Sequence, residues 1–291
     1  MNGFKLIKKV GEGGMATVWK AIEEASGKVV AIKILNREFA SNGVEIRNFR
    51  TEERLMEEIN IPGIVHAYEF FNEGNQWYYA MEFVDGYSFR ELLQRKQRVS
   101  EADCLLICES VAAALNYAWN DHGIVHCDIK PENIMINTSG EVKLTDLGIS
   151  HRFEFNENPI AVPEHVLGTP AYISPEQVYG DVELDCRADI YSLAATLYHL
   201  STGRTLFPKL SNDDTMRAHC DETIQAKDPR AYRPQLSQGF CQLLESMLVK
   251  NREYRIDSWT SVYETCRAIE NGELFENRDS TYANSSIRLL D

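Results

Sequence analysis

Residues 123–148 read GIVHCDIKPENIMINTSGEVKLTDLG, and the predicted chemistry of the chain lies in this stretch. The pattern places Asp128, Lys130, Asn133 and Asp146 on two short loops joined by a hairpin-like segment. An acid that can accept a proton therefore accompanies a fixed cation and two oxygen ligands of the kind that Mg²⁺ prefers. Phosphoryl transfer requires this set, because it depends on neutralising charge and aiming a hydroxyl rather than on covalent help.

Residues 126–133, HCDIKPEN, resemble the H-R-D-x-K-P-x-N catalytic loop of protein kinases, and residues 146–148, DLG, resemble D-F-G. The chain is thereby identified as resembling a bacterial-style, eukaryotic-like Ser/Thr protein kinase. This resemblance implies an α+β, bilobal fold with a small β-rich N-lobe that carries one regulatory helix, and a larger, mainly helical C-lobe. It makes Asp128 the candidate base and Lys130 a stabiliser of the migrating charge. Asn133 and Asp146 become the ligands of Mg²⁺, with Mn²⁺ as an alternative cation. Small-molecule phosphotransferases share the D-x-x-x-x-N spacing, so motifs on both sides must support the assignment.

A predicted strand from residue 4 leads into a glycine-rich turn and a second strand across residues 11–18, GEGGMATV. A plain β-hairpin would show the same pattern. The segment resembles the kinase loop G-x-G-x-x-G-x-V, with Ala16 in place of the third glycine. The resemblance implies nucleotide contacts by Gly11, Glu12, Gly13, Gly14 and Val18.

Residues 28–35, KVVAIKIL, predict a strand that is interrupted by Lys33. A lysine within an apolar strand favours an anionic partner, although an edge-strand lysine facing solvent would fit as well. Residues 30–33 resemble the kinase V-A-I-K, which implies that Lys33 grips the ATP phosphates and that Ala31 lies at the nucleotide. An apolar helical face between residues 44 and 60 carries Glu52 and Glu53. Counting back from Pro62 favours Glu52 as the partner of Lys33, whereas a surface helix would simply carry both acids.

After two further predicted strands, residues 67–71 and 77–83, the chain reaches MEFVDG at residues 81–86. By resemblance Met81 is the gatekeeper, and the Glu82 carbonyl and Val84 backbone meet adenine. Asp85-Gly86 breaks the strand, which predicts an N-lobe over residues 1–84, a C-lobe over residues 85–270 and a tail over residues 271–291.

The C-lobe pattern is helical, with a start at Ser100 and stops at Gly123 and Gly203. Residues 149–166 lack periodicity and match the activation segment. It closes with residues 168–176, GTPAYISPE, which resemble the peptide-docking segment of protein kinases and distinguish them from small-molecule kinases. The resemblance implies a pair between Glu176 and a late arginine, for which Arg255 fits better than Arg252. It also implies that Asp189 anchors the catalytic loop.

Composition limits the class of protein and the kinds of partner. The chain has 291 residues, of which 44% are hydrophobic and 25% charged, as in an ordinary globular protein. Its net charge of -14 argues against nucleic-acid binding and leaves ATP and a protein substrate as partners. Seven cysteines without metal-ligand spacing predict reduced thiols. We expect a cytoplasmic protein, because no signal peptide and no apolar run of about 20 residues is present. The sequence is also compatible with a homodimer.

The sequence thus predicts an ATP-dependent Ser/Thr protein kinase in intracellular signalling, with a pseudokinase that scaffolds partner proteins as the alternative. One departure from the family concerns regulation. Cys127 stands where many kinases have an arginine that pairs with an activation-loop phosphate, and residues 151–168 contain no Ser, Thr or Tyr. We therefore expect activity that does not depend on activation-loop phosphorylation.

Overall fold

The computed structural model describes residues 1, 3–147, 151–152, 168–181 and 183–273. Internal contacts divide the chain into two compact units. The first contains Met1–Tyr87 and Ile136–Ile149, and the second contains Ser88–Met135 and Ser150–Asp291.

The first unit is built on a five-stranded antiparallel sheet and one helix. Its strands are β1 (Phe4–Glu12), β2 (Ala16–Glu23), β3 (Val29–Leu35), β4 (Ala67–Glu73) and β5 (Gln76–Glu82), in the order β1-β2-β3-β5-β4. Residues of four strands alternate onto one buried face: Phe4, Ala21, Val30, Ile32, Tyr78 and Ala80. Burial of this apolar area stabilises the sheet and fixes its register.

Helix α1 (Gly43–Glu58) packs against β4. The Asn42 side chain caps its start by accepting a hydrogen bond from Val44 N. Phe49, on its inner face, contacts Tyr79 of β5 with ring centroids 5.0 Å apart. This packing fixes the rotation of α1 and so determines which acid faces the sheet.

A second, three-stranded sheet has the order β6-β8-β9, from β6 (Gly86–Ser88), β8 (Ile134–Asn137) and β9 (Val142–Leu144). A side chain at Gly86 would place Cβ only 1.9 Å from the Ile136 carbonyl oxygen, so this position requires glycine. β7 (Ile124–Val125) pairs antiparallel with β10 (His151–Arg152).

The second unit is mainly helical. Its helices are α2 (Phe89–Lys96), α3 (Glu101–His122), α4 (Pro175–Val178), α5 (Cys186–Thr202), α6 (Asn212–Cys220), α7 (Gln238–Met247) and α8 (Trp259–Glu270), with 3₁₀ helices at Pro229–Ala231 and Arg252–Tyr254. Helix α5 is buried along nearly its whole length and packs against α3, α4 and α7. It is therefore the element on which the unit is assembled.

The α+β class and the helix limits read from the sequence are confirmed. Ser100 accepts a hydrogen bond from Asp103 N at 3.1 Å, and the left-handed glycines 123 (φ 63°) and 203 (φ 74°) end α3 and α5. Most of the predicted activation segment and of the tail lies outside the described residues. The boundary between the two compact units falls between Tyr87 and Ser88, and residues 136–149 belong to the first unit. The lobe limits predicted at residues 84 and 270 stay predictions.

Candidate active site

Lys33 is the centre of a charged cluster in the first unit. Its Nζ lies 2.5 Å from Glu52 Oε1 and 3.1 Å from Asp146 Oδ1. The side chain is only 14% exposed, as expected from its place on β3, the central strand of the five-stranded sheet. The Tyr79 hydroxyl also donates to Glu52 Oε1, at 2.9 Å. The ion pair implied by the resemblance is thus present, and the alternative of a solvent-facing lysine is excluded.

Two carboxylates, those of Glu52 and Asp146, share this one lysine, and this arrangement shifts the pKa values of Glu52 and Lys33. Burial, supported by the nearby charge of Asp146, raises the pKa of Glu52 to about 7 against the attraction of Lys33. Burial alone would lower the pKa of Lys33, but Glu52, Tyr79 and Asp146 outweigh it and raise that pKa well above its usual range. Lys33 is therefore charged at neutral pH and available to a further anion.

Glu53 is as buried as Glu52, with 4% exposure, but it has different neighbours. It lines a cavity with Arg50, Arg54 and Glu57. Burial, with the charge of Glu57, raises the pKa of its carboxyl. In the described part of the chain, the carboxylates paired with Lys33 are Glu52 and Asp146. The choice of Glu52 over Glu53 is confirmed as a contact.

Asp146 occupies an unusual backbone conformation, with φ at 66°. A left-handed non-glycine residue costs about 1–3 kcal/mol and persists only when its surroundings hold it. Here β9 ends at Leu144, and Leu144 N donates to the Gly63 carbonyl while its own carbonyl accepts from Val65 N. The Asp146 side chain remains 43% exposed, so an oxygen donor is presented to solvent from a fixed backbone.

The residues assigned to the nucleotide lie on neighbouring strands of the same unit. Gly11 and Glu12 end β1 opposite Val18 and Thr17, and Gly13 N donates to the Ala16 carbonyl at 2.9 Å. A Cβ at Gly14 would meet no heavy atom within 4 Å, so packing does not demand glycine there. A turn whose backbone approaches a ligand closely would require glycine at this position.

The residues assigned to adenine lie on β3, on β5 and just after β5 of the same sheet. Ala31 lies directly opposite Met81 in the β3/β5 register. Met81 and Val84 are buried, whereas the Glu82 side chain forms an ion pair with Lys143 at 2.5 Å. Sequence patterns do not point to Lys143, because it lies 61 positions after Glu82.

A second cluster surrounds Asp128 in the second unit. Lys130 Nζ lies 2.5 Å from Asp128 Oδ2, and the Thr169 hydroxyl donates to Asp128 Oδ1 at 2.7 Å. Lys130 Nζ also lies 3.0 Å from Thr169 Oγ1. Asn133 Nδ2 donates to the Asp128 backbone carbonyl at 3.0 Å and to Oδ2 at 3.3 Å. Asp128 is thus oriented by three side chains, one of which is a hydroxyl-bearing residue.

The loop that carries Asp128 is held from α5. The buried Asp189 carboxylate accepts hydrogen bonds from His126 N at 2.6 Å and from Cys127 N at 2.8 Å. Burial raises the pKa of Asp189 to about 6, while His126 and these two backbone donors oppose the rise. The anchoring role implied for Asp189 is confirmed.

Cys127 itself has a φ of 66°, and a second contact secures it: Gln177 Nε2 donates to its carbonyl at 2.7 Å. Sequence reasoning missed Gln177. The only hint was its position one residue after Glu176, in a capping box that begins at Ser174.

Glu176 and Arg255 form a buried, two-pronged ion pair, with nitrogen–oxygen distances of 2.6 and 3.0 Å. The two side chains are 6% and 0% exposed. Arg252, the alternative, instead pairs with Asp181 at 3.1 Å. The expectation that Arg255 is the partner is confirmed.

The donor chemistry of the two predicted metal ligands fits Mg²⁺. Asp146 can bind a cation through its carboxylate oxygens. The Nδ2 group of Asn133 donates to Asp128, so Asn133 would bind a cation through Oδ1. Mg²⁺ is commonly held by one or two such protein oxygens together with substrate phosphates and water. No group of three or more His, Cys, Asp or Glu side chains suited to a metal occurs among the described residues.

Comparison with known proteins identifies the class. The family model described as the protein kinase domain matches residues 4–265. The chain therefore belongs to the protein kinase family, and its sheet unit and helical unit are those of the bilobal kinase fold.

The relatives are bacterial. Serine/threonine-protein kinase PknA of Mycobacterium tuberculosis is 33% identical over 274 residues, covering 92% of this chain and 62% of the relative. Probable serine/threonine-protein kinase PknB of Bifidobacterium longum is 33% identical over 87% of this chain and 37% of the relative. Serine/threonine-protein kinase PrkC of Bacillus subtilis is 32% identical over 92% of this chain and 39% of the relative. The chain thus spans between about two fifths and three fifths of the length of these proteins.

Within the described part of the chain, no helix combines the length and apolar character needed to cross a bilayer.

Proposed function

We propose that this chain transfers the γ-phosphoryl group of Mg·ATP to serine and threonine hydroxyls of proteins. The observation that carries the proposal is the arrangement of Asp128, Lys130 and Thr169, in which a hydroxyl already donates to the carboxylate at 2.7 Å. A substrate hydroxyl in that position would lose its proton to Asp128 as it attacks. Lys130, at 2.5 Å from the same carboxylate, would offset charge on the transferring group.

The first unit supplies the nucleotide contacts in this proposal. Lys33, held by Glu52, meets the α- and β-phosphates, and the glycine-rich turn covers them. Asp146 and, from the second unit, Asn133 are the residues that would hold the cation, and the cation would neutralise phosphate charge. Ala31, Met81, Glu82 and Val84 line the adenine site, where the last two use backbone groups.

Serine and threonine are favoured over tyrosine because of Lys130 and Thr169. Lys130 bridges Asp128 and Thr169, at 2.5 and 3.0 Å. Both residues match the motifs of Ser/Thr kinases rather than those of tyrosine kinases in the family that the chain resembles. The names of the relatives point the same way.

We also propose activity without activation-loop phosphate, and the surroundings of Cys127 support this proposal. Its side chain is 2% exposed, and its Sγ lies 3.6 Å from the Val125 carbonyl, so it offers a phosphate neither charge nor access. The loop is instead held by Asp189 and Gln177. The signalling role, a cytoplasmic location and a homodimer stay predictions.

The test is transfer of labelled γ-phosphate, with Mg²⁺, to a generic protein substrate and to the chain itself. Asp128→Asn should lower the rate by a factor of about 10²–10⁴, and Asp146→Asn should abolish Mg²⁺-dependent transfer. Asp121→Asn, at an exposed position of α3, is the matched control and should retain full activity. No transfer by the unaltered chain would favour the pseudokinase; full activity of Asp128→Asn would refute the assignment of the base.

Phosphoamino-acid analysis of the labelled product tests the specificity. Phosphoserine and phosphothreonine are expected, and predominant phosphotyrosine would overturn this part of the proposal.

A further inference from the structure

A polar cavity of about 330 Å³ lies in the second unit, between α2 and the end of α5. Its lining residues come from these two helices and the turns after them, and those that matter below are Arg90, Gln97, Arg98, His199, Gly203 and Arg204. We refer to it as the arginine pocket. The mechanism proposed above does not use it.

The arginine pocket has an unusual charge. Three of its lining residues are arginines and none is acidic, although the chain as a whole has a net charge of -14. Arg90 lies 3.6 Å from Glu132, with both side chains nearly half exposed, and Arg98 Nη1 donates to the Tyr232 carbonyl at 3.4 Å. Among the described residues, Arg204 forms no ion pair. The pocket therefore presents more positive charge than its surroundings neutralise, and an anion would be attracted to it.

The pocket is tied to the catalytic loop on two sides. On one side, Arg90 N donates to the Pro131 carbonyl at 2.9 Å, within the segment that runs from Asp128 to Asn133. On the other, the ring of His199 shares a hydrogen bond with the Tyr172 hydroxyl at 2.8 Å. Tyr172 N in turn donates to the Thr169 carbonyl at 2.9 Å. A polypeptide held at Asp128 would thus pass near the pocket.

The frame of the pocket is preformed. Val99 N donates to the Leu200 carbonyl at 2.8 Å, which joins the turn after α2 to the end of α5. Gly203 is left-handed, with φ at 74°, and a Cβ there would lie 2.7 Å from the Gln97 carbonyl oxygen. Because the backbone is fixed, ligand binding would cost mainly the ordering of the arginine side chains.

His199 contributes shape and a hydrogen bond rather than charge. Burial, with the positive charge of Arg90 nearby, lowers its pKa to about 4, so the ring is neutral at pH 7. The cationic character of the pocket thus comes from guanidinium groups, whose planar donor pairs suit carboxylate and phosphate oxygens.

We propose that the arginine pocket binds an acidic side chain of the polypeptide substrate, either a carboxylate or a phosphate, and thereby selects acidic substrates. This inference rests on the proposed kinase function and names its substrate class.

The experiment compares three peptides that share one acceptor serine. One carries aspartates at the flanking positions, one carries phosphoserines there, and one carries alanines. Binding is measured by fluorescence anisotropy and transfer by kcat/KM, for the unaltered chain, Arg204→Glu and Arg98→Glu. Arg217→Glu is the matched control, because Arg217 is 73% exposed on α6 and lies outside the pocket.

The unaltered chain should bind and phosphorylate the acidic peptides better than the alanine peptide, by about two- to fivefold for each ion pair, as expected for a partly exposed pair. Arg204→Glu and Arg98→Glu should each reduce or reverse this ratio, whereas Arg217→Glu should preserve it. Taking a ratio within each variant cancels general damage, and a melting curve identifies a variant that fails to fold. A larger ratio for phosphoserine than for aspartate would identify phosphate as the preferred anion.

Equal binding of the acidic and alanine peptides, or a ratio unchanged in both pocket variants, would overturn the inference. Binding is read independently of catalysis, so the two proposals can fail separately. Selective binding of acidic peptides without any transfer would support the pocket and refute the proposed activity.

Discussion

Replacing Glu52 with glutamine should impair phosphoryl transfer much more than the same change at Glu53. The Glu52→Gln substitution removes one charge from the Lys33 cluster but keeps an oxygen that can accept the Tyr79 hydroxyl. Glu53 provides a matched control, because it is adjacent in α1 and equally buried, at 4% exposure, whereas the described carboxylates paired with Lys33 are Glu52 and Asp146. The comparison therefore isolates the ion pair from burial and helix propensity.

The magnitude follows from the geometry of the cluster. Breaking a fully buried ion pair costs about 3–5 kcal/mol, because the remaining charge is left without compensation. Lys33 is 14% exposed and would keep Asp146 at 3.1 Å, so we expect a smaller cost of about 1–3 kcal/mol. If this free energy is lost from transition-state stabilisation, because Lys33 is no longer held in position, kcat/KM drops by about 5- to 150-fold. Glu53→Gln should lower it by less than about threefold, since no ion pair with Lys33 is lost.

The assay is steady-state transfer of labelled phosphate at about pH 8. Because the pKa of Glu52 is about 7, its carboxyl is mostly ionised above that value and the contrast with glutamine is then greatest. Melting temperatures of both variants control for unfolding. Equal losses, or a larger loss in Glu53→Gln, would show that the Lys33–Glu52 contact is not what sets the activity.

Three further predictions concern stability and regulation. Glu176→Gln should lower the free energy of unfolding by about 3 kcal/mol, because it leaves the fully buried Arg255 charge unpaired; a urea titration that shows less than about 1 kcal/mol would contradict this. Burial, with Lys250 nearby, lowers the pKa of His219 from 6.5 to about 4, so its contribution to stability is present above pH 6.5 and is lost as pH falls toward 4. Between about pH 7.5 and 5.5 the unaltered chain should lose about 1 kcal/mol more than His219→Asn, and equal losses would rule out His219 as the source. Finally, phosphatase treatment should leave activity unchanged, whereas a large loss traced by mass spectrometry to Ser150 or Thr169 would refute phosphate-independent activation.

The predictable part of this structure consists of features that a local pattern specifies. Apolar periodicity and capping residues gave the helices, as at Ser100 and Gly123, because these signals act within one or two turns. The residues of the two charged clusters were also found, because the resemblance to the kinase motifs covers each of them in order. The choice between Glu52 and Glu53 was harder, since both are buried and only the rotation of α1 separates them.

The unpredicted part depends on contacts between distant segments. The sequence predicts Gly86 as a strand breaker, but the requirement for glycine at this position comes from the Ile136 carbonyl, fifty residues later. The left-handed backbone at Cys127 has no local sequence signal, because cysteine does not favour positive φ. At Asp146 the signal is weak, because aspartate adopts positive φ more often than most residues but still uncommonly. Gln177 and Tyr79 were missed for the same reason: each supports a functional residue through one hydrogen bond from another element.

The buried charges show why those irregular segments are stable. Asp189 accepts two backbone N–H groups of the catalytic loop, and Lys250 directs its three donors at the carbonyls of Ala218, Asp221 and Ile224, at 2.5–2.6 Å. Arg255 donates to three carbonyls in addition to its contacts with Glu176. Buried backbone groups outside helices and sheets still require partners, and these side chains supply them.

This role changes what a hydrophobic replacement would do. A buried ion pair can often be exchanged for apolar side chains of similar volume without loss, because the desolvation cost of both charges disappears together. At Glu176 and Arg255 the same exchange would leave the carbonyls of Arg187, Val249 and Lys250 without the donors they now have. Each such loss costs about 1–3 kcal/mol, so an apolar pair here would still be destabilising. The charges in the second unit are thus retained for the backbone they hold, and through Asp189 that backbone includes the loop that presents Asp128.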